Sequence, residues 1–197
     1  MIIALGFLFS GSLFAQAASE KGMVINGITW ATRNVDTSGT FAAKPESAGK
    51  FYQWNRNKAW DATEETVSGW DGSEVLGDIW ERSNDPSPVG WHIPTLNEIG
   101  KLLDTEKVSN EWTSINGING RKFTDKATGN SIFLPAAGYR DFMDGTLAGT
   151  GYYGGYWNST PVGNYAFSLG FHGGNSNWRK YYNYHRTFGF SVRPAAD

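Results

Sequence analysis

Residues 88–99 carry the sequence PVGWHIPTLNEI. Thr95 stands three positions before Glu98, which is the spacing of a helix capping box, and Pro94 fixes the start of the segment. Apolar residues then recur at helical spacing, at Leu96, Ile99, Leu102 and Leu103. The pattern predicts a short amphipathic helix over residues 96–104 that serves as scaffold rather than as a binding site.

Short strands are predicted on both sides of this helix. Asn26 and Gly27 form the strongest two-residue hairpin signal and lie between two β-rich pieces. Residues 165–172, YAFSLGFH, alternate as a half-buried strand requires, and Phe188, Phe190 and Val192 alternate again. One helix among many short strands indicates an α+β domain.

Two polar stretches predict long loops. Residues 36–50 are polar and interrupted by Gly and Pro, and residues 61–87, which follow Trp60, contain eight acidic residues together with Trp70 and Trp80. Calcium binding in the second stretch is conceivable because hard cations prefer several oxygen ligands. The acidic residues lack the regular spacing of a calcium loop, so a solvated loop is the favoured interpretation.

Composition limits the class of protein. The chain has 197 residues, no cysteine, 9 Trp, 9 Tyr, 12 Phe, 25 Gly and a formal charge of −2. A chain of this length buries enough surface to form a core without disulfides. The small negative charge argues against a nucleic-acid partner, and so does the export that residues 1–18 indicate.

Residues 1–18 are typical of a signal peptide. They contain no charge, an apolar run up to Phe14 and the small-residue pattern Ala15-Gln16-Ala17. The run is shorter than the roughly 20 residues that a membrane-spanning helix needs, so no membrane span is expected. The missing basic residue after Met1 leaves a buried or disordered apolar segment as an alternative. Residues 19–197 are predicted to form a single domain.

Five motifs in order suggest a family: GKFYQW at 49–54, PVGWHIPTLNEI at 88–99, LPAAGYRD at 134–141, GGYWNST at 154–160 and FGFSVRP at 188–194. Together they resemble the major paralogous domain named after Fibrobacter succinogenes. That domain is similar to the formylglycine-generating-enzyme branch of the C-type lectin fold. The resemblance implies a C-type-lectin-like fold, with short helices packed on twisted antiparallel sheets and many loops.

The resemblance also implies a secreted or outer-surface bacterial protein. Such domains often carry a cysteine before the GWH motif and another after SVR, where this chain has Ser87 and Pro194. Formylglycine-generating chemistry uses cysteines, so we expect no enzyme of that kind, and no cofactor.

The same fold branch includes the variable proteins of diversity-generating retroelements, whose binding residues lie near the C-terminus. Residues 158–185 are rich in the Tyr, Asn, Ser and His that such diversification produces, although ordinary turns favour Asn and Ser as well. Tyr and Trp also favour binding surfaces. The candidate ligand-binding residues are Tyr152, Tyr153, Asn158, Ser159, Tyr165, His172, Asn175, Asn177, Trp178, Arg179, Tyr181, Tyr182, Asn183, Tyr184 and His185.

Other site motifs are set aside. Residues 149–154 satisfy G-x-G-x-x-G, but no helix is predicted after them, so their glycines are assigned to a tight loop that presents Tyr152 and Tyr153. Trp157-Asn158-Ser159 lacks the Asp of the calcium-dependent lectin motif. The three histidines lie far apart in sequence, and His92 is expected to be a satisfied structural residue rather than a metal ligand.

The sequence therefore predicts an exported ligand-binding protein whose partner is a protein or a glycan at a cell surface. Two alternatives remain open: a structural subunit of a surface assembly, and an enzyme with an unrecognised site.

Overall fold

The computed structural model describes residues 20–173 and 182–197. Within them the chain forms one α-helix, one 3-10 turn (Arg82–Asn84) and short strands. In chain order these are β1 (Met23–Ile25), β2 (Ile28–Trp30), β3 (Trp91–His92), α1 (Leu96–Leu102), β4 (Val108–Ile115), β5 (Ile118–Asp125), β6 (Ser131–Pro135), β7 (Tyr139–Arg140), β8 (Leu147–Ala148), β9 (Tyr153–Val162), β10 (Tyr165–His172), β11 (Tyr182–His185) and β12 (Ala195–Ala196).

The strands form small sheets in the orders β1-β2-β12-β3, β11-β10-β9, β4-β5-β6 and β7-β8. All pairs of these strands are antiparallel. Residues 20–173 and 182–197 are therefore β-rich and loop-rich with one short helix. This confirms the predicted short strands, antiparallel sheets and loops. That helix is not long and apolar enough to cross a membrane, and no other helix in residues 20–173 and 182–197 is.

The predicted hairpin at Asn26-Gly27 is confirmed. Both residues have positive φ, 46° and 78°, as a type I′ turn between twisted strands requires, and Val24 pairs with Thr29 across it. A second hairpin of the same kind joins β4 and β5 through Asn116 and Gly117, with φ values of 49° and 80°. That hairpin carries the same dipeptide signal and was not predicted.

The predicted helix is also confirmed, with its end at Leu102 rather than Asp104. The Thr95 side chain accepts from the Glu98 N–H, and the Glu98 carboxylate accepts from the Thr95 N–H at 2.7 Å. Both partners of the capping box are therefore in place. The inner face of α1 joins a core that includes Ile25, Trp30, Ile99, Leu102, Leu103, Val108, Phe123, Leu169 and Phe171.

The C-terminal segment 188–192 differs from the alternating strand that its sequence predicts. Gly189, Phe190 and Ser191 each form a single bridge to a different segment, at Arg140, Tyr52 and Tyr156 respectively. The segment contacts β7, the chain at Tyr52 and β9 in turn, so no one strand runs beside it for more than a residue. Phe190 and Val192 are nevertheless fully buried, so the apolar alternation marks core positions.

Two buried arginines hold the predicted loop of residues 61–87, which is irregular as expected. Arg140 is fully buried and donates to the carbonyls of Asp61 and Glu64 at 2.8 and 2.7 Å. Arg186 donates to the carbonyls of Val75 and Gly77 at 3.0 and 2.6 Å. Burial lowers the pKa of both guanidinium groups. Loop carbonyls that have no strand partner are thereby satisfied.

We predict that Arg140→Met lowers the free energy of unfolding by roughly 3 kcal/mol or more, because buried carbonyls lose their donors. Urea denaturation followed by tryptophan fluorescence measures the change. Arg82→Met is the control, since the Arg82 side chain is 62% exposed and its loss should cost less than about 1 kcal/mol. If the two substitutions lower the free energy of unfolding equally, Arg140 does not stabilise the loop through these hydrogen bonds.

Candidate ligand-binding face

Three predicted site residues meet where β9 begins and β10 ends. Tyr152 is 57% exposed, and its ring stacks on that of His172 with centroids 5.7 Å apart and planes 23° apart. Tyr153 lies opposite His172 in the strand register. The stack fixes the orientation of Tyr152, so this end of the sheet presents an ordered aromatic pair to solvent.

The loop between β8 and β9 presents Tyr152, as the sequence predicts, whereas Tyr153 is half-buried. Gly149 and Gly151 have φ values of 71° and 76°, which side-chain-bearing residues rarely adopt. The Gly149 carbonyl accepts from the N–H groups of Tyr152 and Tyr153 at 3.0 and 2.7 Å. The glycines therefore form a tight turn, and no helix follows them.

A second aromatic group lies where β10 begins and β11 ends. Tyr165 is 46% exposed and pairs with His185, with ring centroids 5.3 Å apart and planes nearly perpendicular. Phe142 stacks on the His185 ring, also at 5.3 Å. Phe142 was not predicted as a site residue. Its neighbours Asp141, Asp144 and Gly145 favour a turn. This signal could have placed Phe142 at the tip of a loop.

A half-buried aromatic layer connects the two groups. The Tyr153 and Tyr184 hydroxyl groups lie 3.1 Å apart. The Tyr184 ring packs on Phe188 and Phe190, with centroids 5.1 and 4.9 Å apart. Tyr153 and Tyr184 thus support the surface more than they form it, and the exposed positions are Tyr152 and Tyr165.

Asn158 is not brought to this face, and Ser159 lies far from Tyr152. Asn158 is fully buried; its Oδ1 accepts from the Thr160 N–H at 2.9 Å and its carbonyl accepts from the Trp54 indole. Ser159 donates its N–H to the Pro94 carbonyl. At about 3.3 Å per residue, Ser159 lies roughly 20 Å along the strand from Tyr152. Asn158 therefore belongs to the core and is not available to a ligand at the surface.

Several predicted residues fall outside the described part of the chain. These are Asn175, Asn177, Trp178, Arg179 and Tyr181. For Tyr182 and Asn183 the structure gives the backbone only, in β11 opposite Ser168 and Phe167.

His92 has two carboxylate partners. Its Nε2 lies 3.1 Å from Glu98 Oε1 and its Nδ1 lies 3.0 Å from Asp197 Oδ1. The hydrogen bond to Glu98 is the main cause that raises the pKa of His92, and Asp197 adds to it. His92 therefore joins β3 to the start of α1. Among the described residues no three His, Asp or Glu side chains converge as a metal site would require.

The comparisons with known proteins give one match. Residues 106–195 are similar to a family described as a domain of unknown function (DUF8237). That match spans β4 to the first residue of β12 and includes the whole β9–β10–β11 sheet. No curated protein and no solved structure matches the chain.

Gly154 should be intolerant of a side chain. A Cβ there would lie 2.3 Å from the Phe171 ring, so Gly154→Ala should lower the free energy of unfolding by about 1–3 kcal/mol through overpacking. Thermal and urea unfolding measure this loss. Gly72→Ala is the control because its Cβ would meet only ordinary contacts, the nearest at 3.5 Å. If the two variants are equally stable, Phe171 does not pack on the β9 backbone.

The His92 contacts predict a pH dependence of stability. A folded-state pKa raised above 6.5 means that the contribution of His92 is present in full below the unfolded pKa and is lost as pH rises through the folded pKa. The difference in unfolding free energy between the wild type and His92→Gln should therefore be larger near pH 5.5 than near pH 9. Urea titrations at both pH values test this, and a constant difference would refute it.

Proposed function

We propose that this chain is an exported or cell-surface binding domain on a C-type-lectin-like scaffold, which uses the β9–β10–β11 sheet to bind a protein or glycan ligand. The observation that carries the proposal is the pair of exposed tyrosines, Tyr152 and Tyr165, on an ordered aromatic support.

The arrangement of the sequence motifs supports the scaffold assignment. Tyr52 of the first motif bridges Phe190 of the last, Arg140 bridges Gly189, and Tyr156 bridges Ser191. Three of the other motifs that carry the resemblance thus contact the last motif. If the contacts between these motifs define the fold, a chain with the same fold is expected to carry the same motifs in the same order.

Physical chemistry supports binding as the role of the tyrosines. Tyr offers a large contact area and a hydroxyl group while losing little side-chain entropy. The stack with His172 already orders Tyr152 in the free protein, which reduces the entropy cost of association. A ring that only filled the core would be covered, whereas Tyr152 is 57% exposed.

Diversification by a retroelement is a further part of the proposal. Within the described residues, Tyr165, His172, Tyr184 and His185 are at least partly exposed. Asn158 is fully buried and belongs to the scaffold. A diversified set should therefore include the first four positions and omit Asn158.

The test is a glycan-array and surface-protein binding screen, repeated with the double variant Tyr152→Ser/Tyr165→Ser. The variant should lose the ligand by roughly 30-fold or more, because anchor residues at interfaces are worth about 2 kcal/mol or more. Val24→Ser is the matched control, since Val24 is 46% exposed, as Tyr165 is, and lies in β1, which belongs to a different sheet. A ligand that binds the double variant and the wild type equally would refute the proposal and favour the structural-subunit alternative.

A further inference from the structure

A cleft of about 530 Å³ opens beside the tip of the β4–β5 hairpin. Its walls come from segments far apart in sequence: residues 44–48, 62–63, 116–119, 135–137 and 150–151. The volume is within the range of about 300–1,000 Å³ that is usual for small-molecule sites. None of the predicted ligand-binding residues lines it, so the cleft is separate from the aromatic face.

Hydrogen bonds between its walls hold the cleft open. Asn116 donates from Nδ2 to Glu46 Oε1 at 2.8 Å, which ties the hairpin tip to the loop of residues 44–48. On the other side, Asn119 donates to the Gly151 carbonyl at 3.0 Å, and the Gly151 N–H donates to the Ala136 carbonyl at 2.8 Å. The site is therefore formed before any ligand arrives.

The lining combines small apolar side chains with one buried carboxylate. Ala48, Ala62, Ile118 and Ala137 supply apolar surface, whereas Glu46 is only 9% exposed. The hydrogen bond from Asn116 lowers the pKa of Glu46, so the carboxylate is ionised near neutral pH. No ion pair of the described residues includes Glu46. Buried carboxylates are normally paired with a cation.

We propose that this cleft binds a primary ammonium group on an aliphatic stem, with the ammonium at Glu46 and the stem against the alanines and Ile118. The carboxylate supplies a charge-assisted hydrogen bond, and the apolar lining removes the stem from water. The inference does not rest on the proposed function, because the two sites share no residue.

Lys44 also lines the cleft and does not compete for this role. Its side chain is exposed to solvent, where water and salt screen its charge. Its effect on Glu46 is weaker than that of Asn116. The carboxylate therefore remains able to accept a second donor.

A set of probes that differ only in the head group tests the assignment. The backbone amides of the ¹⁵N-labelled chain are followed by NMR during titration with 1-pentylamine, 1-pentanol and Nα-acetyl-lysine-N-methylamide. Pentylamine should shift the amides of Asn116, Gly117 and Gly151, and pentanol should bind at least about tenfold more weakly. Tighter binding of the lysine derivative would identify a lysine side chain as the source of the amine, and tighter binding of pentylamine would identify a free amine.

Two variants separate charge from shape. Glu46→Gln can still accept from Asn116 and should weaken pentylamine binding about tenfold, whereas Ala48→Leu fills the cleft and should weaken pentylamine and pentanol together. Glu111→Gln is the matched control, because the Glu111 side chain is 63% exposed, and it should change nothing. Equal binding of pentylamine and pentanol, unchanged affinity in Glu46→Gln, or no shift of the cleft amides with any probe would overturn the proposal.

Discussion

Hydrogen bonds from buried guanidinium groups to loop carbonyls are the interaction on which the rest of this structure depends. Irregular backbone carries carbonyls that no neighbouring strand satisfies, and their burial is costly without a donor. Arg140, Arg186 and Arg193 supply such donors in the rigid fork geometry of arginine; Arg193 donates to Asn34 Oδ1 at 2.9 and 2.8 Å and to the Ala31 carbonyl at 3.2 Å. With no cysteine in the chain, these contacts tie the loops to the sheets.

The contacts of Arg186 also limit the movement of the proposed binding face. Arg186 follows β11 directly and donates to the Tyr165 and Gly163 carbonyls at the β9–β10 turn, and its guanidinium lies over Trp54 at 4.3 Å. The strand end that holds Tyr165 and His185 is therefore joined to the core. An aromatic residue on a fixed strand end loses little entropy on binding, which is why a loop-rich fold can still present an ordered surface.

The features that the sequence predicts well are those determined by near neighbours. The α1 capping box spans four residues, and the Asn26-Gly27 turn needs two. The burial of Asn158 depends instead on Trp54, more than one hundred residues away, and the contact from Arg186 to Val75 spans 111 residues. The cleft at Glu46 likewise joins five distant segments. Local patterns cannot report such contacts, although Asn116-Gly117 carried a signal strong enough to predict its hairpin.

One short turn links the proposed face to the proposed cleft. The Gly151 N–H and carbonyl bond to Ala136 and Asn119 in the cleft wall, and the next residue, Tyr152, accepts from the Gly173 N–H through its carbonyl. A ligand in the cleft can change binding at Tyr152 only if it binds two arrangements of this turn with different affinity. Because several hydrogen bonds fix the turn, a second arrangement is costly, and the two sites should bind their ligands independently.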